Sequence, residues 1–276
     1  MDCLKLFHLQ AAILDWAGTA VDHGSLAPVA ALERVFAENG VAISTAEARR
    51  DMGLLKKDHI RNILAYHRVA EQWMKVHGSA PRESDTERIF AEFLPRQREI
   101  LAEFSTPIEG VCAAVARWRQ AGLCVGSSTG YTRDLLDAVM ARAAPLGYSP
   151  DASVTPDEVG AGRPAPFMCY RNAIALGVFP LWRYVKIGDT PSDIAEGINA
   201  GMWTIGITRT GNEIGMPAAD FAKLSSTERE ALERKAAERL LAAGADYIAP
   251  AVAECDAALI DIERRLASGD RPRLDR

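Results

Sequence analysis

The stretch AAILDWAGT, residues 11–19, decides the expected fold because a short apolar run ends directly on an aspartate and a tight turn. The run Ala11–Leu14 predicts a buried strand, and Asp15 stands at its carboxyl end. The small residues Ala17 and Gly18 then allow backbone N–H groups to point at an anion. An aspartate that merely stabilises a turn or caps a helix gives the same pattern. Asp15 is therefore a candidate functional residue that needs support from elsewhere in the chain.

Five further short apolar runs alternate with longer amphipathic segments along the chain. This alternation predicts an α/β fold in which a parallel sheet is covered by helices on both faces. Ligands bind such sheets at the carboxyl ends of the strands. The further predicted strands cover residues 123–127, 153–155, 184–187, 204–207 and 247–248.

Residues 24–104 interrupt the alternation, because they have helical patterns and no convincing strand. We expect them to form an inserted, all-helical cap domain above the strand ends. The remaining segments, 1–23 and 105–276, would form the α/β core. The predicted cap helices cover 29–36, 60–74 and 86–104, with a turn-rich break at 78–85.

The composition is that of an ordinary globular protein. The chain has 276 residues, of which 48% are hydrophobic and 25% charged, so it is long enough for one or two domains and is not disordered. The formal charge of −5, with no basic run, argues against nucleic acid or an anionic membrane as a partner. No signal peptide is recognisable, and no stretch approaches the ~20 apolar residues of a membrane span. We expect a soluble, cytoplasmic protein.

The cysteines support that expectation. Their number is odd, their spacing is wide and no CxxC pair occurs, which argues against both a disulfide framework and a cysteine zinc site. Free thiols in a reducing compartment are predicted at Cys3, Cys112, Cys124, Cys169 and Cys255.

Two acidic residues follow the predicted strand at 184–187. The sequence GDTPSD at 188–193 provides Asp189 and Asp193, whose oxygens suit a hard cation such as Mg²⁺. The alternative interpretation is an ordinary loop in which Asp193 caps the next helix.

Two other loops offer groups that suit phosphate oxygens. SSTGY at 127–131 provides the Thr129 hydroxyl and the Gly130 N–H, and GRPAP at 162–166 provides the Arg163 guanidinium. Each signal alone is also typical of an ordinary turn or of a surface arginine. Their combination with Asp15 and Asp189, all close to strand ends, is far more specific.

In this combination the chain resembles the haloacid dehalogenase superfamily of aspartyl phosphotransferases over nearly its whole length. The resemblance implies a three-layer, Rossmann-like α/β core. It also implies Asp15 as nucleophile, Thr129 as the hydroxyl of the second loop, Arg163 as the phosphate-binding cation and Asp189 as a metal ligand. The phosphatases of the superfamily carry a second aspartate two residues after the nucleophile, as general acid, but this chain has Ala17 there.

Lys56 offers an explanation for the missing acid. A lysine at the boundary between cap and core can form an imine with a carbonyl substrate, and a protonated imine accepts the electrons of a breaking carbon–phosphorus bond. No acid is then needed on the leaving atom. Lys57 competes for this role, and a solvated cap lysine is the ordinary alternative for either residue.

The resemblance narrows to the phosphonoacetaldehyde hydrolase (phosphonatase) family. The stretches that carry it are DWAGT, MGLLKKDHIR at 52–61, TGYTR at 129–133, GRPAP and NAGMWT at 199–204. The resemblance implies Mg²⁺ as cofactor, held by the side chains of Asp15 and Asp189 and by the Ala17 carbonyl, with Asp193 supporting the metal shell. It also implies Lys56 as the Schiff-base residue and a homodimer formed through cap helices. The residues expected to bind substrate or its phosphonate are Thr129, Gly130, Tyr131, Arg163 and Met52.

The function implied is Mg²⁺-dependent hydrolysis of phosphonoacetaldehyde to acetaldehyde and phosphate, in the degradation of 2-aminoethylphosphonate. His59, three residues after Lys56 on the same helical face, is a candidate proton relay, and a core or surface histidine is its alternative. Three other functions stay open at this point: a phosphate-ester phosphatase or mutase, a hydrolytic dehalogenase, and a catalytically silent relative that binds a phosphorylated ligand.

Overall fold

The computed structural model describes residues 4–272, apart from the side chain of Ala102. Within them, six parallel strands form one sheet in the order β3-β2-β1-β4-β5-β6. The strands are β1 Ala11–Leu14, β2 Cys124–Ser128, β3 Ala152–Val154, β4 Tyr184–Gly188, β5 Trp203–Ile207 and β6 Tyr247–Ala249. The α-helices are α1 Leu26–Glu38, α2 Thr45–Arg49, α3 Lys56–Ala65, α4 His67–His77, α5 Glu83–Phe104, α6 Val111–Gln120, α7 Arg133–Ala143, α8 Phe167–Leu176, α9 Pro191–Asn199, α10 Ala218–Lys223, α11 Ser226–Ala242 and α12 Asp256–Ala267.

The sheet lies between two layers of helices, which confirms the predicted α/β fold. Alternate residues of β1 enter opposite layers: Ala12 and Leu14 join the apolar cluster of α6, α7 and α12, whereas Ala11 and Ile13 pack towards α8. Because both faces are covered, β1, β4 and β5 are buried along their whole length, as expected of a parallel sheet. All six predicted strands are present, each displaced by no more than about one residue.

The central position of β1 determines where a ligand can bind. β1 pairs with β2 on one side and with β4 on the other, so the order of the strands reverses there. Open α/β sheets bind ligands at such a reversal, beyond the carboxyl ends of the strands.

Residues 24–104 are helical and contain no strand, as predicted. Their helices α1–α5 enclose an apolar cluster separate from that of the sheet, formed around Phe36, Ile60, Trp73 and Phe93. The long helix α5 runs from this cluster to the sheet, since its Leu94 and Ile100 side chains pack against both. The domain boundaries at 23/24 and 104/105 stay a prediction.

The prediction of one continuous cap helix at 60–74 is wrong. The chain forms α3 and α4, separated at Tyr66, whose backbone is extended. The Tyr66 hydroxyl donates a hydrogen bond of 2.6 Å to Asp51, which holds the break in place. The helix predicted at 86–104 begins three residues early because the Asp85 carboxylate accepts the Arg82 N–H at its start.

The cysteines within the described residues, Cys112, Cys124, Cys169 and Cys255, are free thiols as predicted, and Cys3 lies outside that part of the chain. A search of the described helices finds none that is both long and apolar enough to cross a membrane.

Candidate active site

Asp15 lies at the carboxyl end of β1, where the neighbouring strands hold its backbone. The Asp15 N–H continues the ladder by donating to the Ile187 carbonyl of β4 at 2.9 Å. The next side chain, Trp16, is fully buried, and its indole N–H donates to the Ser127 hydroxyl of β2 at 2.9 Å. The loop that carries Asp15 is thus fixed to both neighbours of β1.

The turn after Asp15 needs a glycine at position 18. Gly18 has a φ of +82°, and a Cβ there would lie 2.2 Å from the Asp189 carboxylate oxygen Oδ2. The close approach brings the first loop against Asp189, which follows β4. The Thr19 hydroxyl donates to Asp189 Oδ1 at 3.1 Å and the Asn212 N–H donates to Oδ2 at 2.7 Å.

Three buried carboxylates converge at this point. Asp15, Asp189 and Asp193 each offer an oxygen that lies within 4.8 Å of the others. Burial and the neighbouring charges of Asp15 and Asp193 raise the pKa of Asp189 well above its usual value. A divalent cation would offset this repulsion, so the residues fit a hard-metal site.

Arg163 is the cation that faces these carboxylates. Its guanidinium contacts Asp15 at 2.7 Å, Asp193 at 3.0 Å and Glu196 at 2.9 Å. Burial alone would lower the Arg163 pKa, but the three carboxylates raise it well above its ordinary value. The predicted phosphate-binding cation therefore lies directly beside the predicted nucleophile.

Two charged residues of this network, Lys186 and Glu196, were not singled out by sequence reasoning. The Lys186 ammonium group, fully buried within β4, contacts Asp193 at 2.8 Å and Glu196 at 3.4 Å. Glu196 Oε2 also accepts the Ser128 hydroxyl at 2.9 Å. A lysine in the middle of an otherwise apolar strand, YVKIG, was the available signal, because a buried charge requires a partner.

The predicted substrate-binding residues line one small cavity, together with Asp15 and Ala17. They are Met52, Thr129, Gly130, Tyr131 and Arg163, and the predicted Schiff-base residue Lys56 lines the same cavity. The cavity measures about 20 Å³, which is room for about one water molecule. A phosphonate substrate needs more room than this arrangement of the lining residues leaves.

The cap loop at 52–55 closes this cavity by close backbone approach. A Cβ on Gly53 would lie 2.4 Å from the Thr190 hydroxyl oxygen, and one on Gly130 would lie 2.7 Å from the Leu54 carbonyl oxygen. Both glycines are therefore required where the cap loop meets the core loops.

Lys56 points into the cavity from the first turn of α3. Its ammonium nitrogen Nζ lies 3.4 Å from Met52 Sδ. Burial lowers the Lys56 pKa to about 8; Asp15 opposes this shift, whereas Arg163 adds to it. The cation that adds to the lowering of the Lys56 pKa is thus Arg163.

The side chains of Lys57 and His59 lie outside this cavity. Lys57 turns towards α5, where its ammonium group contacts Glu83 at 3.6 Å and Glu87 at 3.2 Å. His59 is fully buried but does not line the cavity, and burial followed by the charge of Lys56 lowers its pKa well below the usual value. Its role as a proton relay stays a prediction.

A larger cavity, of about 740 Å³, lies where the two connecting segments between cap and core meet, near Leu26 and Pro107. It contains none of the predicted site residues, so the volume of a cavity does not identify the candidate active site in this protein.

Comparison with known proteins agrees with this geometry. A model of the haloacid dehalogenase-like hydrolases matches residues 9–201. A phosphonoacetaldehyde hydrolase of Nitratidesulfovibrio vulgaris (strain Miyazaki F) is 44% identical, over 96% of this chain and 94% of its own. The chain belongs to the phosphonoacetaldehyde hydrolase family.

Other family members match almost as well. A phosphonoacetaldehyde hydrolase of Bacillus cereus (strain B4264) is 42% identical over 93% of this chain and 97% of its own. A solved structure described as a phosphonoacetaldehyde hydrolase like protein from Oleispira antarctica has a TM-score of 0.95 at 38% identity, with 99% of both chains covered. Membership of this family confirms the resemblance inferred from the motifs and makes the chain a hydrolase.

The buried charge network yields a stability prediction. Lys186→Met leaves Asp193 and Glu196 without one of their two cations, so we expect a loss of about 3–5 kcal/mol in the free energy of unfolding. Urea denaturation measures this loss. The matched control is Lys223→Met, at an exposed lysine. Its free energy of unfolding should stay within about 0.5 kcal/mol of the wild-type value. The double variant Lys186→Met/Glu196→Gln removes one charge of each sign and should recover part of the loss. A Lys186→Met protein as stable as the control would contradict the network's importance.

Proposed function

We propose that this chain hydrolyses the carbon–phosphorus bond of phosphonoacetaldehyde, giving acetaldehyde and orthophosphate, in the degradation of 2-aminoethylphosphonate. One observation carries the proposal: the buried amine of Lys56 shares a small cavity with Asp15. The names of the relatives support the same substrate. The free thiols suit a cytoplasmic enzyme.

The lining of the cavity favours an enamine over an alkoxide as leaving group. Among the described residues that line it, Asp15 is the sole carboxylate, and Ala17 occupies the position of the phosphatases' general acid. A phosphate ester would thus find no second carboxylic acid, the general acid of the phosphatases, for its leaving alkoxide oxygen. A carbon leaving group needs an acceptor for its electron pair instead, and a protonated imine is such an acceptor.

Lys56 would supply that imine. Because its pKa is about 8, an appreciable fraction of the side chain is a neutral amine near pH 7.5. The amine lone pair forms a bond to the aldehyde carbon, and the adduct takes up one proton from solvent as it loses water, which leaves the protonated imine. When the carbon–phosphorus bond breaks, its electrons move into the imine and give an enamine, which is protonated at carbon and hydrolysed to acetaldehyde.

Asp15 would attack phosphorus while the phosphonate is held by Arg163, the Thr129 hydroxyl and the Gly130 N–H. Burial raises the Asp15 pKa, and the Arg163 guanidinium at 2.7 Å opposes that rise. The attack forms an aspartyl phosphate, which water then hydrolyses to orthophosphate. The ion pair with Asp15 keeps the guanidinium at the place where phosphonate oxygens would bind.

We propose Mg²⁺ as the cofactor, held by Asp15, Asp189 and the Ala17 carbonyl. When bound, the ion supplies positive charge that offsets the negative charge of the carboxylates and of the phosphonate. Asp193 would support this site indirectly, since Lys186 and Thr190 contact its two oxygens at 2.8 Å and 2.6 Å.

We also propose that the enzyme is a homodimer. The resemblance implies a contact through cap helices, where Met74 and Val76 of α4 are about half exposed. A second group of exposed apolar residues, Phe167, Tyr170 and Ile174 on α8 of the core, is the alternative contact. Exposed apolar residues are typical of an interface between subunits, and the contact through the cap helices is the one we propose.

The Schiff base is tested by trapping it. Borohydride added with phosphonoacetaldehyde or acetaldehyde should inactivate the enzyme irreversibly and leave a two-carbon group on Lys56, detected by mass spectrometry of the digest. Lys56→Arg should lose nearly all turnover because guanidinium cannot form the imine near neutral pH. Lys57→Arg is the matched control and should keep most activity, since Lys57 faces α5. A label on Lys57, with Lys56→Arg active, would refute the assignment.

The pH dependence of trapping follows from the Lys56 pKa. Only the neutral amine attacks, so the rate of inactivation by acetaldehyde and cyanoborohydride should rise about tenfold per pH unit below pH 8 and level off above it. Acetaldehyde has no titrating group in this range, and Nα-acetyl-lysine measured in parallel corrects for the reductant. A rate that keeps rising to pH 10 would mean an ordinary, solvated lysine.

The dimer contact is tested by light scattering after gel filtration. Met74→Glu places a charge on the exposed face of α4 in the cap and should convert the dimer to a monomer. Ile174→Glu, on the exposed face of α8 in the core, is the matched variant and should leave the dimer intact. The reverse result would favour a contact through α8, and a monomeric wild type would exclude the dimer.

A further inference from the structure

Arg49, the last residue of α2, extends from the cap to the core loop that follows β5. Its neighbour Ala48 is fully buried in the apolar cluster of the cap, which fixes this end of α2. The Arg49 guanidinium donates to the Asn212 side-chain oxygen Oδ1 at 3.0 Å and to the Gly215 carbonyl at 3.1 Å. It also donates at 2.8 Å to the carbonyl of Gly24, in the segment that connects core and cap. One cap side chain thus bonds both to that connection and to a core loop.

The core loop, residues 211–215, is shaped to receive this guanidinium. Gly215 has a φ of +64°, and a Cβ there would lie 2.5 Å from Arg49 Cζ. A larger residue at position 215 would therefore displace the guanidinium. The Asn212 amide donates in return to the Arg49 carbonyl at 3.3 Å. The contact is thus built from both sides, by the cap arginine and by the residues of the loop.

The same loop holds the Asp189 carboxylate. The Asn212 N–H donates to Asp189 Oδ2 at 2.7 Å, and a Cβ on Gly211 would lie 2.6 Å from Asp189 Cβ. A displacement of the loop would therefore move or release this carboxylate. Loss of a group that hydrogen-bonds to a metal ligand typically weakens metal binding about 10–100-fold.

We propose that Arg49 is a positioning residue for the cation site: it holds the loop at 211–215, so that the Asn212 N–H keeps the Asp189 carboxylate in place. The inference rests on the proposed function and deepens it. It assigns a determinant of Mg²⁺ affinity to a cap residue that does not line the cavity of Lys56.

The affinity of the substrate-free enzyme for Mg²⁺, measured by isothermal titration calorimetry, tests this inference. Arg49→Ala removes the guanidinium, and Gly215→Ala displaces it without changing any charge. We expect both variants to raise the Kd for Mg²⁺ about tenfold. Because Arg49→Ala leaves room for the added methyl group, Gly215→Ala should have little further effect in that background.

The matched control is Arg68→Ala. Arg68 is a cap arginine whose hydrogen bonds in the described residues all stay within the cap, to Glu47, Gln72 and the Ala42 carbonyl. Its loss should disturb the cap to a similar degree and leave the Kd for Mg²⁺ unchanged. An equal rise in Arg68→Ala would mean a general effect on the cap and would overturn the inference. If Arg49→Ala failed to fold, Gly215→Ala would decide by itself.

A measurement without any metal separates this inference from the proposed function. The backbone amide proton of Asn212, followed by NMR in the metal-free enzyme, should exchange with solvent at least about fivefold faster in Arg49→Ala and at the wild-type rate in Arg68→Ala. Unchanged exchange or an unchanged Kd in Arg49→Ala would overturn the inference, while wild-type turnover with Mg²⁺ sustained the function. If the wild type bound no Mg²⁺, the proposed cofactor would fail, and the exchange rate would still decide whether Arg49 holds the loop on Asp189.

Discussion

The structure depends on a set of charges that are buried together at the carboxyl ends of β1 and β4. Asp15, Asp189 and Asp193 lie within 4.8 Å of one another, and Arg163 and Lys186 face them from the same interior. Carboxylates this close together in a protein interior are tolerated only when positive charges lie beside them. The buried Trp16 side chain and the turn at Gly18 hold the first loop in the position where Asp15 can pair with Arg163.

The same arrangement explains the properties of the cap lysine. Closing the cap loop over the core removes water from Lys56, and desolvation favours its neutral form. A lysine on an open surface would keep its proton near pH 7 and could not attack an aldehyde efficiently. Closure therefore does two things at once: it desolvates the amine and brings it to the cavity that holds Asp15.

The sequence was sufficient to predict the elements with strong local signals. The apolar strands, the helical segment at 24–104 and the loop residues Asp15, Thr129, Arg163 and Asp189 all follow from local patterns, because the carboxyl ends of parallel strands meet at one edge. Lys186 and Glu196 were missed because their significance depends on which strand and helix face one another. The break at Tyr66 was missed for the same reason, since the residue that fixes it, Asp51, lies outside both helices.

The reaction itself is tested most directly by following the phosphorus of phosphonoacetaldehyde with ³¹P NMR. Wild-type enzyme with Mg²⁺ should convert the phosphonate resonance to orthophosphate, while an alcohol dehydrogenase couple detects acetaldehyde in equal amount. Glycerol 2-phosphate should be hydrolysed far more slowly, because the cavity has no second carboxylic acid to protonate an alkoxide leaving group. An unchanged phosphonate resonance alongside rapid hydrolysis of the ester would contradict the account, since it would mean an ordinary phosphatase.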